Sequence, residues 1–175
     1  RNYDTRYYRD LLMRVRERLP DAALGSDIIV GFPGESDAQF DASLAYFAEL
    51  PLTYFHVFPY SSRRGTVATT LPDAVPAPMK KLRAQRMREL GARKKQEFCA
   101  GFADQRVAVL VEGKVDKASG ARRGFSRNYL PVALAGAGVL HNSEVTVRLG
   151  EYRNGWLRGM VEAAGDEQNL TAPVA

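Results

Sequence analysis

With 175 residues, 45% of them hydrophobic and 26% charged, the chain has enough apolar material for one sizeable core or two modest ones. That composition excludes wholesale disorder, no apolar run approaches membrane-spanning length, and Arg1-Asn2-Tyr3-Asp4 is not a signal peptide. The single cysteine, Cys99, excludes an internal disulfide framework and suits a reducing cytoplasm. The net charge of +5 is unevenly placed. Residues 80–130 carry 14 Lys/Arg against 5 Asp/Glu, whereas residues 1–79 carry 8 against 10 and residues 131–175 carry 3 against 5. Such a block attracts a phosphate backbone, or is simply a solvated helix face.

In chain order, the spacing of Tyr8, Leu11, Leu12, Val15 and Leu19 predicts a helix over 4–19, capped by Asp4 or Thr5 and stopped by Pro20. An opening without Met directly ahead of a helix reads as a fragment. The β-branched run Ile28-Ile29-Val30 between turn residues predicts a fully buried strand. Ser36 and Gln39 form a capping box for a second helix whose buried stripe is Phe40, Leu44 and Phe47 and which Pro51 ends. A second strand follows at Tyr54-Phe55-His56-Val57-Phe58. This rhythm describes a right-handed βαβ unit on a parallel sheet. Residues 59–78, with four prolines, form a long loop. A basic helix runs from about Pro78 to Cys99, with Met79, Leu82, Met87, Leu90 and Phe98 inward, its cations outward and its middle weakened by Gly91.

Beyond Phe102 the period becomes two. Val107, Val109 and Val111 alternate with polar residues, as do Leu130, Val132 and Leu134, then Val145, Val147 and Leu149. Glycines including Gly113, Gly124, Gly136, Gly138 and Gly155 punctuate these runs. Together they predict a small antiparallel barrel of about five strands, followed by a frayed tail.

Both strands of the βαβ unit exit at their carboxyl ends into loops, and that edge is where ligands sit in parallel α/β sheets and barrels. The first exit, Gly31-Phe32-Pro33-Gly34-Glu35, lets backbone approach a ligand closely, and the helix after Ser36 turns its positive end toward it. It is neither a phosphate loop nor a dinucleotide fingerprint, and by spacing alone a plain structural turn is the favoured reading. His56, in an apolar strand, reads as a hydrogen-bonded core histidine. Cys99, with no Cys or His spaced near it, reads as a buried or half-buried thiol. Arg122, Arg123, Phe125, Arg127, Asn128 and Tyr129 interleave cations with stacking aromatics, as a single-stranded RNA loop requires. Tyr152, Arg153 and Trp156 form a weaker second group.

Asp27 to Glu35, then Phe58-Pro59-Tyr60-Ser61-x-Arg63-x-Gly65-Thr66-x-Ala68, resembles the paired signature in the last third of the radical S-adenosylmethionine (SAM) barrel of tRNA methylthiotransferases. The opening helix with Arg1, Tyr3 and Tyr8 fits the segment before that signature. The terminal barrel resembles the TRAM RNA-binding domain, and Gly124-Phe125-Ser126-Arg127-Asn128-Tyr129-Leu130-Pro131-Val132 matches the branch acting on N6-threonylcarbamoyladenosine, as does His56-Val57-Phe58-Pro59-Tyr60-Ser61. The isopentenyladenosine and ribosomal-protein branches match less well. The resemblance implies an α/β part followed by an all-β part. Residues 1–100 would be the end of a radical SAM (β/α) barrel with parallel strands and a trailing basic helix, 101–163 an OB-like TRAM barrel and 164–175 a flexible tail.

The same resemblance implies SAM near Ile29, Gly31 and Glu35, its adenine against the backbone of Phe58, Pro59 and Tyr60, and Arg63 reaching SAM or phosphate. Thr66, Arg122, Arg123, Phe125, Arg127, Asn128 and Tyr129 would meet the tRNA anticodon loop. The family uses two 4Fe–4S clusters held by cysteine sets, CxxxCxxC among them, that this chain lacks, so it is expected to be the carboxyl-terminal part of a cytoplasmic enzyme, inactive without its missing N-terminal part. Two other readings are a tRNA-binding module without catalysis and an unrelated α/β enzyme.

Overall fold

The computed structural model describes residues 3–115, 120–135 and 141–162. Arg1, Gly136, Gly138 and the expected tail lie outside the described residues. The chain divides into two compact units, Arg1–Phe98 and Cys99–Ala175. Its elements are α1 (Thr5–Arg18), β1 (Gly25–Val30), α2 (Asp37–Glu49), β2 (Tyr54–Pro59), a short 3-10 turn (Val67–Thr70), α3 (Ala77–Ala100), β3 (Arg106–Val115), β4 (Arg122–Ser126), β5 (Pro131–Ala135), β6 (Glu144–Arg153) and β7 (Trp156–Val161).

In the first unit β1 and β2 pair in parallel, with Ile28 opposite Val57 and Ile29 opposite Phe58. Asp4 caps α1 by accepting from the Tyr7 amide at 2.8 Å, and the Ser36/Gln39 capping box starts α2 as its sequence requires. Ile28, Val30, Phe40, Val57, Ala84, Met87 and Leu90 form the larger core, with Leu44, Phe47 and Phe55 against it, and Leu12, Leu50 and Leu52 form the smaller. The expected stripe of α1 is narrower than its spacing suggested: Leu12 is buried while Leu11 and Leu19 are exposed.

Two further elements differ from expectation. The run Ile28-Ile29-Val30 is not buried throughout: Ile28 and Val30 are buried, but Ile29 is 60% exposed. The core gathers on one face of the two-stranded sheet, and a strand's side chains alternate between faces. In α3 the inward stripe runs through Arg83, Ala84, Met87, Leu90 and Gly91, while Leu82 is 49% exposed. Gly91 belongs to that stripe because a Cβ there would sit 3.0 Å from the Phe55 ring. The helix gives up intrinsic propensity at this position for close approach of a strand. Long cations satisfy carbonyls that the turns and strand β2 leave open. Lys94 donates to Leu50 O at 2.7 Å, Arg88 to Val57 O at 3.0 Å, and Arg16 to Pro20 O, Ala22 O and Pro51 O.

The second unit is a closed five-stranded barrel in the order β3-β4-β5-β7-β6. Val109, Val111, Leu130, Val132, Leu134, Val147, Leu149 and Leu157 are buried in it, following the period-two pattern of the sequence. It is not wholly antiparallel: β5 and β7 pair in parallel, Val132 opposite Leu157. Hairpin spacing suggests antiparallel neighbours, but closure brings together two strands separated in sequence by β6. Gly159 faces inward, where a Cβ would lie 2.5 Å from Val132 Cγ1. Cys99 is buried at the start of this unit.

Candidate functional site

The Gly31–Glu35 loop is a tight, hydrogen-bonded turn. Gly31 has φ +72° and Gly34 φ +83°, values that suit glycine. The Gly31 amide donates to the Glu35 carboxylate at 2.7 Å, Glu35 N–H donates to Phe32 O at 2.9 Å, and Gly34 N–H donates to Asp73 O at 2.9 Å. Arg83, reaching in from α3 with a side chain 5% exposed, donates to Glu35 O at 2.8 Å, to the Glu35 carboxylate at 2.7 Å and to Asp37 at 2.6 Å. Burial by itself lowers the pKa of the Arg83 guanidinium, but the hydrogen bonds to Asp37 and Glu35 outweigh it and hold the group above its ordinary value. Glu35, expected beside a ligand, spends its carboxylate on this latch, because a buried guanidinium requires a carboxylate partner. Neither Arg83 nor Asp73 stood out in the sequence. The only hint of Arg83 was a cation four residues before Met87, on the buried stripe.

The second exit adjoins the first: Tyr60 N–H donates to Val30 O at 2.8 Å, and Lys80 Nζ lies 3.4 Å from Tyr60 O. The Tyr60 ring stands edge-on to Phe32 with centroids 5.2 Å apart. Its buried hydroxyl has no hydrogen-bond partner among the described residues, an orphan that a polar ligand atom would satisfy. Arg63 is exposed, and its carbonyl accepts from Thr66 N–H at 3.2 Å and Thr66 Oγ1 at 2.8 Å. Thr66 therefore serves the turn first, and its hydroxyl proton is already used.

Between the strands and these loops lies the sheet face opposite the larger core. Parallel register sets Gly25 beside Tyr54, Asp27 beside His56 and Ile29 beside Phe58 on it. The Tyr54 ring lies across Gly25, where a Cβ would come within 2.2 Å of Tyr54 Cζ, and it meets the His56 ring edge-on at 5.3 Å. His56 is exposed, which corrects the expectation of a core histidine; strand parity puts it on the face away from Val57. Ile29 and Phe58, 60% and 51% exposed, make an apolar platform beside the loops, and Pro59 is exposed at its end. At the other end the face opens into a cleft of about 620 Å³ lined by Tyr3, Tyr8, Tyr46, Tyr54, Asp27 and His56.

In the barrel, the structure joins two groups that the sequence kept apart. Arg123 holds its guanidinium 4.7 Å from the Trp156 ring centre, and Phe125 meets the same ring at 5.9 Å. The turn that follows is separate. Ser126 Oγ donates to Asn128 Oδ1 at 2.5 Å and accepts from Leu130 N–H at 3.0 Å, while Arg127 pairs with Glu144 at 3.2 Å. Tyr129 is 78% exposed with φ +61°, a strained backbone for an aromatic residue. Arg122 lies half-buried on β4.

Among the described residues no group of His, Cys, Asp and Glu is arranged to hold a metal, and no helix is long and apolar enough to cross a membrane. No protein-family model matches the chain. It is similar to curated proteins named tRNA-2-methylthio-N(6)-dimethylallyladenosine synthase. That of Geobacillus thermodenitrificans is 34% identical over 173 residues, 97% of this chain and 32% of the relative. Those of Bacillus pumilus and Staphylococcus aureus (strain MRSA252) are 42% identical over 118 residues and 33% identical over 159 residues, covering 65% and 91% of this chain and 22% and 31% of the relatives. The chain thus spans about a third or less of the relatives' length.

Proposed function

We propose that this chain is the carboxyl-terminal part of a tRNA methylthiotransferase that adds a methylthio group at C2 of an N6-modified adenosine beside the anticodon. The observation carrying this reading is similarity that runs through both units, over 173 residues, to a protein named for that modification. In this reading residues 1–100 are the end of a radical SAM barrel, 101–163 are an RNA-binding TRAM barrel and the whole protein is cytoplasmic.

The residues present fit SAM. Ile29 and Phe58 form an exposed apolar platform of the kind an adenine ring packs on, the glycine loop brings backbone close, and the orphaned Tyr60 hydroxyl and exposed Arg63 offer polar contacts. SAM, when bound, supplies the methyl group and the adenosyl radical. Gly31 and Glu35 act on it through loop shape, with Arg83 holding that shape. The residues do not fit an iron–sulfur cluster. One buried cysteine cannot supply its thiolates.

The base's N6 substituent is the finer question. The Gly124–Val132 and His56–Ser61 spellings favour threonylcarbamoyl; the second reading, dimethylallyl, is favoured by the names of the relatives. Expression of the whole gene in a strain lacking both modifications, followed by mass spectrometry of tRNA nucleosides, separates them. The 2-methylthio-threonylcarbamoyl nucleoside is expected. The dimethylallyl nucleoside selects the second reading, and neither product rejects the methylthiotransferase assignment. The isolated chain, reconstituted with iron, sulfide and SAM, is expected to give no product.

A further inference from the structure

One side of the barrel carries a trough with an unusual floor. β5 presents Ala133 and Ala135 outward, with Pro131 buried, while the strands on either side present long or aromatic side chains. Register sets Arg123 and Phe125 of β4 beside Ala133 and Pro131, and Arg158 and Met160 of β7 beside Ala133 and Ala135. β6 adds Arg148 beside Met160 and Arg153 beside Trp156. The short side chains between tall neighbours leave an open groove of about 820 Å³, floored by Ala133, Ala135 and Gly150 and walled by Trp156, Arg158 and Met160.

We propose that this groove, rather than the Arg127–Tyr129 turn, is the track for an unpaired RNA segment, with one base stacked on Trp156 and its phosphate on Arg158. The proposal rests on the tRNA reading above and deepens it. The charges decide between the two surfaces. Arg127 is tied to Glu144, Arg153 to Glu151, and Arg106 and Arg148 share Glu162. Arg158 has no ion-pair or hydrogen-bond partner among the described residues, so its charge is uncompensated where the groove is deepest in small side chains. Asp104 and Glu151 also line the groove; they disfavour a phosphate at the β6 rim and leave the β7 wall as the favourable side. Trp156 is already backed by Arg123, so a base on its remaining surface completes a cation–ring–base stack. Met160, 60% exposed, continues the wall with a soft apolar surface for the next base. A stacking platform beside a cation that is unpaired among the described residues suits single-stranded RNA and not the sugar–phosphate face of a duplex.

Trp156 is the chain's only tryptophan, so its emission reports on this groove alone. Titration of the full chain with a single-stranded oligoribonucleotide of about ten nucleotides should quench it, with a site length typical of such grooves. Trp156→Phe and Arg158→Ala should each weaken binding, measured by anisotropy of labelled RNA, by about tenfold. Arg158→Ala should also lower the slope of log K against log salt by about 0.7, the loss of one phosphate contact. RNA that binds with unchanged emission, and equally to Arg158→Ala, places the contact elsewhere and overturns the groove while leaving the tRNA reading intact. Wild-type chain that binds no RNA at low salt overturns both. Polyglutamate that quenches and binds as well as RNA shows an anion-binding surface without nucleic-acid preference, and also overturns the proposal.

Discussion

Arg83 is the residue on which the first loop turns. A guanidinium 5% exposed is shared between a 16% exposed Glu35 and a largely solvated Asp37, and water screens the second pair more than the first. Arg83→Met is expected to destabilise the first unit by about 3 kcal/mol, because it leaves the Glu35 carboxylate without its cation. Denaturant unfolding checks this, and Asp37→Asn should cost well under half as much. Tyr129 offers the opposite test. An aromatic residue at φ +61° holds strain that glycine would release, so Tyr129→Gly should raise stability by about 1 kcal/mol. An unchanged or lower melting temperature would show that its ring makes compensating contacts.

At the scale of elements, β1 separates buried from exposed apolar residues. Ile28, 6% exposed, and Ile29, 60% exposed, are chemically identical neighbours on opposite faces of one strand. Ile28→Ala should cost about 3 kcal/mol through cavity formation, and Ile29→Ala under about 1 kcal/mol. On the proposed reading, SAM binding measured by calorimetry should suffer only from the second change. Tyr46 ties α2 to α1 by donating its hydroxyl proton to Thr5 O at 2.5 Å. Burial first, then neighbouring Tyr8, raises the phenol above its ordinary value near 10, with Arg9 opposing. The folded state thus keeps a proton that the unfolded chain releases. This contribution is whole below pH 10 and is lost as pH rises through the raised folded-state value. Tyr46→Phe should flatten the alkaline fall in stability, read as melting temperature against pH.

At the scale of the molecule, two compact units lie in one chain, and local damage should stay local. Leu157, fully buried in the barrel, and Phe40, 1% exposed in the first unit, are matched probes. Leu157→Ala should lower protection by about 3 kcal/mol in the barrel strands. Hydrogen exchange resolved by peptide should leave β1 and β2 unchanged, and a uniform loss across both units would show that they unfold as one.

The sequence by itself determined the elements whose signals are local. Ser36 and Gln39 read out as a capping box because both bonds lie within four residues, and the valines of β3 and β6 read out as barrel strands because burial there follows a period of two. The glycines of the first loop were legible for the same reason, since positive φ is a property of a single residue. Which face of a strand is covered depends instead on what packs against it. Ile29 and His56 were therefore misread as interior, and Arg83 was overlooked on a helix that reads as basic outside and apolar inside. Arg123, Phe125 and Trp156 meet only because β5 closes between β4 and β7 with small side chains, a neighbourhood set by barrel closure over some thirty residues of chain. Tertiary structure alone decided such juxtapositions, because spatial register is not written in linear spacing.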